Sequence, residues 1–425
     1  MNLNAASQEQ LQAWEAELTS QYQAVKAQSL NLDLTRGKPS SEQLSLSDAL
    51  DGILQGDYTS PSGVDVRNYG GLDGLPEARQ LGAEILDLPA EMVLAGGNSS
   101  LTLMHQAMNI AHQFGLTGSD SAWHKQGKVS MSCPVPGYDR HYSVCEHLGI
   151  DMLTVPMTAT GPDMDAVEAL IKSDDSIRGM WCVPKYSNPT GVIYSDATVQ
   201  RIAALGNIAH KDFRVFWDNA YAIHDLSNTP TALASIALAC EKAGTVDSVL
   251  QFASTSKITF AGAGVAFLGA TTTNLAGIKH ALGYITIGPD KVNQLRHIKF
   301  FAEAGTLSAH MRKHAAIIQP RFASVLKHLD AAFSDNDLGE WERPDGGYFI
   351  SFDTRPGLAK TVVAMAGEAG VKLTPAGATF PYGNDPDDRN IRIAPTVPTV
   401  AQVETAMEVF VLCVKLASIR QALQN

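Results

Sequence analysis

The sequence predicts an α/β protein: a mostly parallel sheet of seven strands with helices on both faces, plus a smaller α+β domain. Three observations predict it. Between about residues 93 and 268, short apolar runs alternate with helical stretches, the pattern of strands joined by crossover helices. The chain has 425 residues, more than one hydrophobic core usually serves, so two domains are expected. Beyond a long helical stretch the pattern then changes to a few short strands and a last helix.

The seven strands are expected at 93–95, 129–132, 152–155, 180–183, 215–217, 249–252 and 265–268. Helices are expected between them at 101–114, 142–148, 165–171 and 196–210. In such sheets ligands bind beyond the carboxyl ends of the strands, so the residues just after each strand become the candidates. A helix over 308–333 could bridge to the smaller domain, which has expected strands at 348–352 and 391–393. Its final helix carries Val403, Met407, Phe410 and Val414 on one face. Near the other end, Leu11, Trp14, Leu18, Tyr22 and Val25 form one stripe of an amphipathic helix that should pack on the smaller domain. The expected division is an N-terminal segment at 1–49, a large domain at 50–307 and a small C-terminal domain at 308–425.

Composition narrows the function classes. Hydrophobic residues make up 45% and charged residues 18%, with a formal net charge of -12. An acidic surface repels phosphate backbones and anionic lipid, so neither nucleic acid nor a membrane surface is an expected partner. The polar first 30 residues do not read as a signal peptide, and the longest apolar runs, such as 409–414, are too short to span a bilayer. Five cysteines, at 133, 145, 182, 240 and 413, contain no CxxC pair. Buried free thiols in a reducing cytoplasm are the expected state, and no metal site is expected.

Four clusters follow the expected strands. After 93–95 comes Gly96-Gly97-Asn98-Ser99-Ser100, leading into a helix. Glycines and small hydroxyls there expose backbone N–H groups that suit a phosphate, although a plain glycine turn with a serine cap has the same composition. After 180–183 comes Pro184-Lys185-Tyr186-Ser187-Asn188-Pro189-Thr190-Gly191, which by itself reads as a proline turn. After 215–217 comes Asp218-Asn219-Ala220-Tyr221, and after 249–252 comes Ser254-Thr255-Ser256-Lys257. Alone, that aspartate reads as a cap and that lysine as a solvated charge.

Their order carries more than any one of them. Asn-Pro-Thr-Gly, then Asp-x-x-Tyr, then Ser-x-x-Lys resembles the series of fold-type I pyridoxal-phosphate (PLP) enzymes of the aspartate aminotransferase class. The resemblance extends over nearly the whole chain. It includes Thr35-Arg36-Gly37-Lys38-Pro39, Tyr69 with Gly74, residues 134–140, and Arg392 in Arg392-Ile393-Ala394-Pro395-Thr396. It is nearest to a divergent group of bacterial aspartate aminotransferases.

The resemblance implies roles. Lys257 would bind the cofactor's aldehyde through its amine and then shuttle a proton as general base and acid. Asp218 would face the ring nitrogen and keep it protonated. Asn188 and Tyr221 would donate to the ring oxygen. Tyr138 would stack on the ring, with Val135 as the alternative register. The phosphate would sit on Gly97, Asn98, Ser99 and Ser254, and Tyr69 of a second subunit would reach it across the two-fold axis of a homodimer. Arg392 would grip the substrate's α-carboxylate as a fork, helped by Asn188 and the backbone at Gly37. The sequence departs from the class at Val265, where many members carry a phosphate-binding arginine eight residues after the lysine. Arg296, Lys38 and Arg36 are the replacement cations that spacing allows.

The implied reaction is transfer of an amino group from an L-amino acid, aspartate by family likeness, to a 2-oxo acid such as 2-oxoglutarate. The same fold also serves PLP lyases and aminocyclopropane-carboxylate synthase-like enzymes, which Pro136-Gly137-Tyr138-Asp139-Arg140 resembles too. A PLP-binding transcription regulator would carry a DNA-binding module ahead of the body, whereas here the first motif begins at Thr35. A nucleotide-dependent dehydrogenase would show GxGxxG after its first strand, and none is present.

Overall fold

The computed structural model of the chain describes residues 3–303 and 305–424. The outermost residues of the expected first and last units, 1–2 and 425, lie outside the described residues. An eight-stranded sheet forms the centre of the larger part. Its order is Val93–Ala95, Ala266–Gly269, Val249–Ser254, Arg214–Asp218, Ile177–Cys182, Ser130–Val135, Asp151–Thr158 and Gly161–Pro162. Seven of these are the expected strands. The eighth is a two-residue edge formed where Asp151–Thr158 turns back on itself. Five strands pair parallel in succession, and Ala266–Gly269 runs against both of its neighbours. The inner strands Ile177–Cys182 and Arg214–Asp218 are buried along their whole length, as covering both faces with helices requires.

This topology places the four motif clusters along one edge. Gly96, Pro184, Asn219 and Thr255 each begin the segment that leaves the carboxyl end, or close to it, of a strand running in the common direction.

A second core lies around a three-stranded antiparallel sheet, Gly339–Trp341, Ile350–Thr354 and Asn390–Ile393. The helix Val400–Gln424 buries Val403, Met407, Phe410 and Val414 here. Against it packs the N-terminal helix Gln8–Lys26, through Leu11, Leu18 and Tyr22. The Ser7–Gln10 capping box starts that helix, satisfying N–H groups that have no partner within it. Leu32–Leu34 then pairs parallel with Val371–Leu373, which draws the Thr35–Pro39 motif over the second core. The helix Leu307–Phe333 runs from one core to the other: Leu307 and Met311 belong to the first, and Ile318 through Phe333 to the second.

Candidate active site

A cleft of about 430 Å³ opens between the two cores. Lys257, Tyr221, Asn188 and Tyr138 line it from the side of the large sheet, and Arg392, Phe349 and Thr374 from the side of the second core. The N-terminal segment adds Gly37 with Arg36 and Lys38.

Lys257 ends a single 3-10 turn, Thr255–Lys257, directly after the strand Val249–Ser254. Its Nζ lies 4.9 Å from the Tyr221 ring centre and 5.8 Å from that of Tyr348. It makes no hydrogen bond among the described residues. Loss of hydration pulls the amine's pKa down, a nearby Asp218 opposes this, and Arg392 adds to the lowering. An amine so placed is a better nucleophile near neutral pH than an exposed lysine.

Asp218 closes the strand Arg214–Asp218 and is 2% exposed. Its Oδ2 lies 2.9 Å from His141 Nε2, while Oδ1 is buried without a partner among the described residues. A buried carboxylate oxygen left unpaired is costly, and it fits a site built for a cationic N–H from a ligand. His141 in turn stacks on Trp181, with ring centres 4.0 Å apart and planes at 6°. Tyr138 stands edge-on to His141 at 4.9 Å. Tyr138 lines the cleft and Val135 does not, so of the two registers the structure brings the tyrosine to the site.

Arg392 lies on the strand Asn390–Ile393 and is buried. Its Nη1 donates to Asp139 Oδ1 at 2.9 Å and to Asn188 Oδ1 at 3.2 Å. Its Nε donates to Thr374 Oγ1 at 3.4 Å, and its guanidinium lies over the Phe349 ring at 4.8 Å. These contacts aim the fork into the cleft from a fixed base.

The Gly96–Ser99 turn lies against the lysine turn. Asn98 Nδ2 donates to Gly262 O at 3.1 Å, and Ser256 Oγ donates to Asn98 O at 3.0 Å and receives the Ser254 hydroxyl at 3.0 Å. These bonds tie the Gly96–Ser99 turn to the Lys257 turn, at the N-terminus of the helix Ser100–Gln113. A Cβ added at Gly97 or at Gly262 would meet nothing within 4 Å, and Ser99 makes no side-chain cap. The open N–H groups of a 14-residue helix start therefore remain available to an anion.

Two of the sequence candidates stand apart. Arg296 does not line the cleft; its Nε donates to Leu50 O at 3.1 Å, because its face of the helix Lys291–Glu303 turns toward the Asp48–Leu50 turn. Tyr69 is 79% exposed on its loop, outside the cleft of its own chain. Val265 is buried, and its N–H donates to Thr255 Oγ1 at 2.9 Å, so that position braces the lysine turn. Sequence reasoning missed His141, Trp181, Asp139 and Ser256. His141 reaches Asp218 from the helix Asp139–Leu148 and Trp181 stacks on His141, and no local spacing signals either.

The chain matches the family model described as aspartate amino-transferase over residues 6–425. The chain belongs to the aspartate aminotransferase family. Within it, the chain is 44% identical over 411 residues to the aspartate aminotransferase of Corynebacterium glutamicum, covering 96% of this chain and 95% of that one. A solved structure of an aspartate transaminase from the same organism superposes with a TM-score of 0.95 at 43% identity, covering 99% of each chain. At 20% identity, the α-aminoadipate aminotransferase of Thermus thermophilus shares the fold, with a TM-score of 0.73 over 96% of this chain and 97% of that one. That protein was solved with N-(5'-phosphopyridoxyl)-L-leucine. Membership makes the chain an aminotransferase of fold type I.

Proposed function

We propose that this aminotransferase uses PLP held on Lys257 and moves the amino group of aspartate to 2-oxoglutarate. The observation that carries the reading is the unpaired Asp218 Oδ1 in the same site as the hydrogen-bond-free Lys257 amine. The residues fit the cofactor. Asp218 would meet the ring nitrogen, Asn188 and Tyr221 the ring oxygen, Tyr138 the ring face, and Gly97, Asn98, Ser99 and Ser254 the phosphate. When bound, PLP supplies an aldehyde for amines and a sink for the electrons of the substrate's Cα–H bond. Around it, Arg392 would fix the α-carboxylate together with Asn188 and Gly37, and the Lys257 amine, once displaced by the substrate's amine, would take up the Cα proton as general base and give it back as general acid.

A dicarboxylate substrate is supported by surplus positive charge. Arg36, Lys38 and Arg140 line the cleft, and none forms an ion pair or a side-chain hydrogen bond among the described residues. Three such cations in a protein of net charge -12 would draw in and hold a second carboxylate. Arg392→Lys is expected to lower kcat/KM for aspartate and alanine alike, because a two-pronged donor becomes a point charge. Glutamine at Arg36, Lys38 or Arg140 should lower it for aspartate by about tenfold at one position or more and spare alanine, the loss of one partly exposed charge contact being about 1.4 kcal/mol. Equal losses for both amino acids in all three variants would refute the dicarboxylate reading.

We further infer the division at 1–49, 50–307 and 308–425, a cytoplasmic location and a homodimer with shared sites. All five cysteines are free and buried, and no helix among the described residues is long and apolar enough to cross a membrane. The exposed Tyr69 supports the dimer, because it leaves its own cleft and would serve the phosphate of a two-fold partner. Mixing inactive Lys257→Ala chains with impaired Tyr69→Ala chains should restore activity, since the hybrid holds one site free of both lesions. Subunit exchange without recovery would mean that Tyr69 serves its own chain.

A further inference from the structure

The turn that presents Lys257 ends without a continuing helix, so the carbonyls of Lys257 and Ile258 take no backbone donor among the described residues. Both are reached instead by side chains. Lys257 O lies 3.3 Å from Tyr348 Oη and 3.3 Å from His224 Nε2. Ile258 O lies 2.7 Å from His310 Nε2, which in turn lies 3.1 Å from His314 Nε2. Every one of these side chains is buried.

The direction of these bonds is set from a distant point in the chain. Gln43 is wholly buried, and its Oε1 accepts the Ser40 N–H at 3.0 Å, one half of the capping box of the helix Ser41–Ser45. That bond fixes which way the amide faces. Gln43 Nε2 then donates to Tyr348 Oη at 2.9 Å and to His314 Nδ1 at 3.1 Å. Tyr348, already accepting, has one proton left, and it goes to Lys257 O. His314, accepting on Nδ1, carries its proton on Nε2, which lies 3.1 Å from His310 Nε2. The arrangement needs neutral imidazoles, and burial supplies them: His314 is pushed down to about 4 and His224 to about 3.

We propose that Gln43 is a positioning residue for Lys257, acting through Tyr348 on the lysine's own carbonyl. Tyr348 holds both ends of that lysine, its hydroxyl on the carbonyl and its ring 5.8 Å from Nζ. The inference rests on Lys257 being the lysine that carries the cofactor. It goes beyond that reading by tying the reactive amine to the N-terminal segment.

The test uses Gln43→Met, which keeps length and removes both donors, Tyr348→Phe, which removes one hydroxyl, and the double variant. Ser40→Ala serves as a control, because it weakens the cap yet keeps the backbone N–H that orients Gln43. Each single change should lower kcat about tenfold, a modest misplacement by the measure that 1 Å can cost a hundredfold, and leave KM for aspartate within roughly twofold. In the cofactor-free chain, amide hydrogen exchange should quicken in the peptide covering residues 255–259. The double variant should be no worse than the poorer single one, and Ser40→Ala should lose thermal stability with neither change. If Gln43→Met does not fold, Gln43→Leu, which also has no donor, takes its place. Additive losses in the double variant, or unchanged exchange with full kcat, would overturn the inference. Borohydride labelling keeps the two readings apart: label on another lysine removes Lys257, whereas label on Lys257 with additive losses removes Gln43 alone.

Discussion

Lys257→Ala is expected to remove turnover almost completely, by roughly four orders of magnitude or more. One amine serves two purposes here, as covalent partner of the cofactor and as proton shuttle, and general acid–base catalysis alone contributes about 10²–10⁴-fold. The fold should survive the change. The amine is stripped of water and has no hydrogen bond to lose, so alanine removes a poorly solvated group and leaves only a small gap beside Tyr221 and Tyr348. Thermal unfolding should therefore move by a few degrees at most, on the scale of about 1 kcal/mol. In the unmodified protein, borohydride should fix the cofactor on the peptide that contains Lys257. Two other lysines near the motifs are occupied: Lys185 Nζ lies 2.6 Å from Asp225 and 2.9 Å from the Ala222 carbonyl, and Lys291 Nζ donates to Gly70 O. Label on Lys185 or Lys291, or substantial turnover in Lys257→Ala, would remove the lysine from this role.

How much of this could be read in the sequence depends on the range of each interaction. The seven main strands were legible because each is an apolar run followed by turn residues. The helix Leu307–Phe333 was legible because its apolar spacing persists through Pro320, to within one residue of the expected start. Boundaries were less clear where the chain continues without a breaker: the strand expected at 152–155 runs from Asp151 to Thr158 and folds back to form the eighth strand. The three-residue strands Leu32–Leu34, Gly339–Trp341 and Val371–Leu373 are too short for a period to show. In the site, motif residues that follow strands were readable, since topology sends them all to one edge. What holds them was not. His141 meets Asp218 across 77 positions, and Gln43 meets Tyr348 across 305. Contacts of that kind leave no local pattern. Arg296 shows the converse: a cation can be located in the sequence, but which face of its helix it occupies relative to the cleft requires the packing of that helix on the Asp48–Leu50 turn.

Asp218→Asn is the other change with a large expected effect, on the order of 10³-fold in turnover, equivalent to about 4 kcal/mol. Two consequences combine. The charge opposite the ring nitrogen is lost, and the polarity of the facing atom reverses. His141 Nε2 lies 2.9 Å from Oδ2 and, as a donor, would keep an asparagine carbonyl on its side, held there by stacking on Trp181. The new amide nitrogen then takes the place of the unpaired Oδ1, presenting a donor where a cationic N–H requires an acceptor. Stability should not fall with activity. The wild-type site keeps a buried carboxylate oxygen without a partner, and the neutral amide relieves part of that cost, so thermal unfolding of the cofactor-free chain should be unchanged or higher. Asp218→Glu keeps the charge at a longer reach and should fall between the two. Turnover of Asp218→Asn within a few-fold of wild type, or a loss matched by unfolding of the cofactor-free chain, would mean that the carboxylate supports the sheet edge and not the cofactor.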